Sequence, residues 1–369
     1  MKYIDEFRNG DQAREIGKKI SHLVSLLPVG NRPIRFMEVC GGHTHSIFRY
    51  GLTQLLPEGL EFIHGPGCPV CVLPRGVVDD AIMLAQQPKV IFTTFGDAIR
   101  VPGSTQSLLQ AKATGCDIRI VYSPMDALAL AQKNPDKEVI FFGLGFETTT
   151  PTTAITIQSA RKQGINNFSL FCNHITIIPT LRALLESPDC DLDGFIGPGH
   201  VSMVIGSEPY QFIAQDYHLP LVISGFEPLD ILQSVYMLLK QRLEHRAEIE
   251  NQYQRIVPKA GNPIAMQAMD DVFETRASTE WRGLGSIDFS GLQMRPAFAA
   301  WDAEVKFDLH RTKVADPEAA MCGAVVTGSI KPHQCPLFCN GCTPETPIGA
   351  LMVSSEGACS AAYQYGNIH

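Results

Sequence analysis

Val139-Ile140-Phe141-Phe142-Gly143-Leu144 is an unbroken run of apolar residues and glycine, closed by Gly145-Phe146-Glu147-Thr148. Apolar side chains at successive positions leave no polar face. The run therefore reads as a strand covered on both sides, as in parallel sheets packed between helices. The pattern recurs: similar runs begin near Ile34, Glu61, Val90, Ile118, Phe168, Gly194 and Leu221, about every 20–30 residues. Each ends in Gly, Pro or polar residues and leads into a helix-like stretch. Eight such strands predict an α/β chain. Uneven intervals, and a helix restarting at Ser123-Pro124, favour two open, doubly wound parallel sheets over 31–117 and 118–229. A closed (β/α)8 barrel is the alternative.

Past Asp230 the character changes. A single amphipathic helix is expected over 231–254, exposing Lys240, Arg242, Glu244, His245 and Arg246. Beyond Pro258 the periodicity fades into a Gly-, Pro- and Cys-rich tail with few strand signals. Such a tail cannot build a large apolar core, so a metal centre is expected to cross-link it. Together with an N-terminal helix over 5–27, this gives a third, smaller, loop- and helix-rich unit made of 1–30 and 230–369.

Composition narrows the function. Apolar residues are 45% and charged residues 18% of 369, which excludes a disordered chain. A formal net charge of −8 denies the basic surface that a nucleic-acid backbone requires. Apolar runs are strand-sized, and residues 1–19 are charged with no apolar signal core, so neither a membrane span nor export is expected. The expected compartment is the cytoplasm. Thiols are kept reduced there, so the eleven cysteines point to metal ligation or thiol redox chemistry and away from a disulfide framework.

Ligands of open α/β sheets gather beyond the C-terminal strand ends. There the sequence places Cys40-Gly41-Gly42-His43-Thr44-His45 and His64-Gly65-Pro66-Gly67-Cys68-Pro69-Val70-Cys71, with Asp97, Glu147, His174, His200 and Glu227 at other ends. Each of these last five has a plainer reading as a turn or helix-capping residue. Cys40, at a strand exit with His43 and His45 just beyond, is a candidate functional thiol. Cys68 and Cys71 form a CxxC, suited to thiol–disulfide exchange or, with Cys40, to a soft three-thiolate iron site. Cys116, Cys172 and Cys190 lack companions and read as packing residues. In the tail, Cys322, Cys335, Cys342 and Cys359 are separated by 12, 6 and 16 residues, which suits an iron–sulfur cluster, with structural zinc the alternative. Cys339 makes a CxxC with Cys342 and remains a fifth candidate ligand.

The blocks starting at Arg35 (RFMEVCGGHTHSIF), Glu61 (EFIHGPGCPVCVLP), Phe95 (FGDAIRVPGS), Gly143 (GLGFETTTPTTA), Gly197 (GPGHVSMVIG), Gly225 (GFEPLD), Lys331 (KPHQCPLF) and Gly349 (GALMVSSEGAC) resemble the HypD family of [NiFe]-hydrogenase maturation factors along nearly the whole chain. The resemblance implies two α/β domains and a cluster domain that draws on the N-terminal segment. It implies a scaffold that assembles the Fe(CN)2CO unit with the small chaperone HypC, receiving cyanide from HypE, which HypF charges. It maps cargo-iron cysteines onto Cys40, Cys68 and Cys71, and [4Fe-4S] ligands onto Cys322, Cys335, Cys342 and Cys359, leaving Cys339 out. On that footing Cys40 and a HypC cysteine hold the iron, His43 and His45 orient ligands or move protons, the cluster feeds electrons to Cys68/Cys71, and Glu356 tunes the cluster or passes protons. The rivals are a cluster-bearing thiol–disulfide reductase with no bound iron unit and a docking platform with zinc in its tail.

Overall fold

All eight apolar runs form strands in the computed structural model, which describes residues 5–28, 30–188 and 190–366. They are β1 (Ile34–Glu38), β2 (Leu60–His64), β3 (Val90–Thr94), β4 (Ile118–Ile120), β5 (Glu138–Gly145), β6 (Phe168–His174), β7 (Gly194–Pro198) and β8 (Leu221–Ser224). A ninth, β9 (Ile249–Asn251), follows. Every residue of β3 and β7 is buried, and so is all of β5 after Glu138, as runs without a polar face require. The chain is α/β, with two open parallel sheets, so the barrel alternative falls.

The strands are not shared out in contiguous halves. One sheet has the order β2-β1-β7-β8-β9 and the other β4-β3-β5-β6. The expected boundary at 117/118 therefore cuts through the second sheet, where Phe92 pairs with Ile118. The chain lays down β1 and β2, crosses over to build β3 to β6, and returns for β7 to β9. Inside the second sheet the rings of β3, β5 and β6 pack in series, Phe92 to Phe142 at 5.9 Å and Phe142 to Phe171 at 5.3 Å between centroids. Such pairs contribute roughly 1 kcal/mol each beyond their burial. The helix restart is real: the Ser123 side chain caps helix Pro124–Lys133, and Asp126 returns the bond to the Ser123 N–H.

Two helix boundaries need correction. The helix expected over 231–254 is Pro228–Leu243; His245, at φ 52°, turns the chain into β9, with no Gly or Pro in the sequence to signal the stop. The N-terminal helix starts later, at Gly10, capped by the Asn9 side chain, and runs to Leu26. Of the expected third unit it meets helix Pro228–Leu243. Ala13 and Ile20 pack with Phe36, Leu52, Val235 and Leu239, covering the first sheet beside helix Pro228–Leu243.

The tail holds four more strands: β10 (Phe273–Thr275) pairs with β13 (Leu292–Met294), and β11 (Ser278–Trp281) with β12 (Gly285–Asp288), both antiparallel. At three or four residues each, they are too short to show a period-2 pattern. Helix Pro263–Val272 packs on helix Thr150–Gln163, and β13 lies against β6, so this part of the tail wraps the second sheet. The segment from Cys322 onward is loop- and helix-rich. Val325, Leu351 and Met352 share one core with Val78, Phe92, Phe142, Cys68 and Cys71. Its last helix, Ala358–Tyr365, packs on helix Gly41–Arg49 directly after Cys40. No helix among the described residues is long and apolar enough to cross a membrane.

Candidate functional site

β1 ends on Glu38, a fully buried carboxylate that fixes the turn carrying Cys40. One oxygen accepts the Cys40 N–H at 3.0 Å; the other accepts from the Thr44 hydroxyl and lies 2.9 Å from Nδ1 of His64, its neighbour at the end of β2. Gly67 lies against this turn so closely that a Cβ would come 2.2 Å from the Cys40 nitrogen. Only glycine lets the loop bearing Cys68 run there.

Cys40 Sγ is 3.9 Å from Nδ1 of His200. Burial pushes the Cys40 thiol far up, with the Glu356 charge adding to it, while the N–H groups of Gly42 and His200 favour the thiolate. The His200 ring stacks on Phe226 at 3.8 Å, and Phe226 on His43 at 4.7 Å. His43 Nε2 faces the carbonyls of Ser224 and Gly225 at 3.2 and 3.0 Å, so it carries the proton and donates. Burial lowers the His43 pKa, and burial followed by the neighbouring His43 lowers that of His200 to about 4.

Beyond the ends of β1, β2, β3, β5 and β7 the two sheets enclose a cleft with about 1210 Å³ of empty volume, counting its solvent-open mouth. Cys40, Cys68, Asp97, Thr148, His200 and Glu356 line it. The position of Glu356 is tight, since a Cβ on Gly41 would reach within 2.5 Å of its side chain. Burial, then Asp97 and Glu38, raise the Glu356 pKa. Asp97 itself accepts from the Ser354 hydroxyl at 2.8 Å.

Other candidates fall outside this cleft. His43 is buried behind it, and His45 turns to the tail, its Nδ1 3.3 Å from the Ser355 carbonyl and its ring edge-on to Tyr365. Glu227 pairs with Arg8 and sits at the N-terminus of helix Pro228–Leu243. His174 is buried with Nε2 3.0 Å from Thr153 Oγ1, and burial lowers its pKa to about 4. Cys172 is buried in β6, while Cys116 and Cys190 are half-buried.

Glu147, also outside, accepts the Ile177 N–H at 3.1 Å and is otherwise desolvated, which raises its pKa to about 7. Between pH 4.5 and about 7 the folded chain then keeps a proton that the unfolded chain releases, so this group makes stability fall as pH rises through that window. The effect is on the order of 3 kcal/mol, at about 1.4 kcal/mol per pH unit. Glu147→Gln, neutral at every pH, should flatten that slope; urea midpoints at pH 5 and pH 8 for both chains provide the measurement.

Cys71 belongs to a different wall. Its N–H donates to Cys68 Sγ at 3.3 Å, and its own sulfur is 3.0 Å from where a Cβ of Gly357 would stand. Burial, then Cys68, pushes the Cys71 thiol well up. Thus Cys68 faces the cleft and Cys71 faces the tail. Among the described residues no three His, Cys, Asp or Glu side chains converge as ligands of one ion, so the three-thiolate arrangement is not preformed.

The four tail cysteines do meet. Cys322, Cys335, Cys342 and Cys359 line one pocket with about 330 Å³ of empty volume, counting its solvent-open side, walled by Val325, Leu337, Phe338, Leu351 and Met352. Gly349 abuts it: a Cβ there would stand 2.3 Å from Cys322 Sγ. The Ile348 N–H donates to Cys342 Sγ at 3.4 Å. Four sulfurs around an apolar pocket, with N–H donors to sulfur and no carboxylate or imidazole in the lining, fit a thiolate-bound iron–sulfur cluster. Cys339 is outside, exposed and at φ 58°.

Some residues of this site carry no signal in the sequence. Glu38 is a lone acid inside an apolar run. Arg282, only 3% exposed, sits beside the tail pocket, where its charge opposes the upward push of burial on the Cys322 thiol, which stands at about 11.

Residues 11–366 match a family model described as HypD, hydrogenase formation hypA family. The chain is 58% identical over 366 residues to the hydrogenase maturation factor HypD of Escherichia coli (strain K12), covering 99% of this chain and 98% of that protein. It is 60% identical over 371 residues to the protein of the same name from Rhodobacter capsulatus, covering 99% and 98%. It is 52% identical over 372 residues to the hydrogenase expression/formation protein HupD of Azotobacter chroococcum mcd 1, covering 99% and 97%. With nearly its whole length matched by the family model and by these relatives, the chain belongs to the HypD family.

Proposed function

We propose that this chain acts in hydrogenase maturation, as the scaffold on which the Fe(CN)2CO unit is assembled together with HypC. The observation that carries this reading is the run of thiols from cleft to tail: Cys40 and Cys68 in the cleft, Cys71 behind it, and four cysteines in the adjoining pocket.

Cys40 is the cargo ligand. Its burial keeps the sulfur protonated until a cation arrives, and the iron substrate then offsets the cost of a buried thiolate. His200, neutral at pH 7, sets an imidazole nitrogen beside the sulfur; Glu38 and Phe226 hold the turn and the imidazole in place. A HypC cysteine entering the open mouth supplies the second soft thiolate, suited to low-spin iron with cyanide and carbonyl ligands. HypE, charged by HypF, brings cyanide to the same mouth. His43 and His45 act on the site indirectly, one through Phe226 and the other through the tail.

Cys68 and Cys71 are a redox pair. Closing their S–S bond releases two electrons and two protons, and opening it takes them up. A [4Fe-4S] cluster on Cys322, Cys335, Cys342 and Cys359 supplies one-electron chemistry when bound. Glu356 stands over the Cys40 turn and is followed by Gly357, which touches Cys71. The cytoplasm, where thiols stay reduced, is the compartment this chemistry needs.

The test is an infrared spectrum of the chain purified anaerobically with HypC. Cyanide and carbonyl stretching bands on the complex are expected. A complex that exchanges thiols but never shows those bands would make the chain a cluster-dependent thiol–disulfide reductase. A colourless chain with one zinc would make it a docking platform.

A further inference from the structure

A buried guanidinium lies between the two thiol centres. Arg282 follows β11 at the tip of the β11–β12 hairpin, and its N–H donates to the Val72 carbonyl at 2.8 Å, one residue past Cys71. Its side chain is 1% exposed. Nη1 donates to the Pro102 carbonyl at 3.3 Å and Nη2 to the Ile348 carbonyl at 3.4 Å. Nε is 2.7 Å from Asp316 Oδ1, close enough to pair by charge but without hydrogen-bond alignment.

The hairpin tip is pressed onto the Cys322 turn. A Cβ on Gly283 would come 2.7 Å from Gly323 Cα, and one on Gly323 would come 2.1 Å from the Gly283 carbonyl oxygen. Ile348, whose carbonyl takes Nη2, precedes the glycine that abuts Cys322 Sγ. A guanidinium taken out of water is strongly destabilising unless anions compensate. Asp316 supplies one, partly exposed at 23%. The cysteines of the adjoining pocket would supply further negative charge as thiolates once a cluster is bound.

We propose that Arg282 is a positioning residue whose buried charge sets the reduction potential of the cluster held by Cys322, Cys335, Cys342 and Cys359. The proposal rests on the cluster reading above. Four thiolates give such a cluster a net negative charge that grows by one on reduction, and a fixed cation in a dry site favours the more negative state. Arg282 therefore raises the potential, and Asp316 pulls it down.

The experiment is a redox titration followed by electron paramagnetic resonance on the full chain, with iron and sulfide counted first. Arg282→Met should make reduction about tenfold less favourable, a downward shift of 59 mV for a one-electron couple. Arg282→Lys keeps the charge and should stay close to wild type. Asp316→Asn should shift the potential upward, a reversal of sign that a merely structural strut would not give. Loaded Arg282→Met and Asp316→Asn with unchanged potentials, or both shifted the same way, would overturn the proposal. If Arg282→Met takes up no cluster, Asp316→Asn decides: an upward shift supports the role and no shift overturns it. A wild-type chain without iron and sulfide would instead remove the cluster reading itself, and this inference with it.

Discussion

Replacing Cys335 or Cys359 by alanine is expected to bleach the anaerobically purified protein. The wild-type chain should be brown, with about four irons and four sulfides. Each variant should lose essentially all of both, because the pocket offers no carboxylate or imidazole to take the missing thiolate's place. The damage should spread. The segment after Cys322 is loop-rich, and its apolar residues are shared with the core beneath Cys68 and Cys71. Without the cross-link, hydrogen exchange should quicken through 322–365 while β3, β5 and β6 stay protected. Cys339→Ala is the control: the side chain is exposed and outside the pocket, so colour, iron and exchange should not change. Bleaching by Cys339→Ala, or full colour in Cys359→Ala, would show the ligand set to be wrong.

The second large effect separates the cleft thiols. Cys40→Ser puts a hard, protonated hydroxyl where a soft thiolate should meet iron, and the infrared bands of the HypC complex should vanish with the cargo iron. The tail cluster should remain, since Cys40 lies in the cleft and not in the tail pocket. Cys71→Ser should keep both the cluster and some cargo iron but abolish the exchangeable disulfide, and hydrogenase activity in cells should stop. Both variants should fold, being nearly isosteric changes at strand-end turns. Hydrogenase matured normally by Cys40→Ser would refute its role as ligand. Complete loss of cargo iron in Cys71→Ser, with the cluster intact, would make the pair direct iron ligands.

The eight strands were legible because a strand buried on both faces must be apolar at every position, and few other segments are. Their order was not. Nothing in Val90–Thr94 says that its neighbours are β4 and β5, or that Phe36 in β1 will lie beside Gly194. Pairing is decided by which faces the connecting helices cover, and that information is spread over the whole chain. Cys40 and Cys68 could be picked out because a thiol at a glycine-rich strand exit has no packing reason to be there. Glu38 could not, for a single acid in an apolar run has no pattern; only the bonds from Cys40, Thr44 and His64 reveal its work. Phe226 was hidden in the same way. It stands within Gly225-Phe226-Glu227, where the acid drew notice, yet the ring is what wedges His200 against His43.

The path of the chain also sets a timetable. The four-stranded sheet is contiguous in sequence and can close on itself as soon as β6 has left the ribosome. The five-stranded sheet cannot, because β1 is an inner strand that waits for β7, made only after the other sheet is complete. Until then β1 has an open, apolar edge, the kind of surface on which nascent chains aggregate or recruit holding factors. The turn bearing Cys40 sits at the end of that unfinished strand, and His200 and Phe226 are translated later still. Until β7 and β8 are in place the Cys40 thiol stands without His200 and Phe226, so the paired thiol and imidazole come together only after the four-stranded sheet has been made.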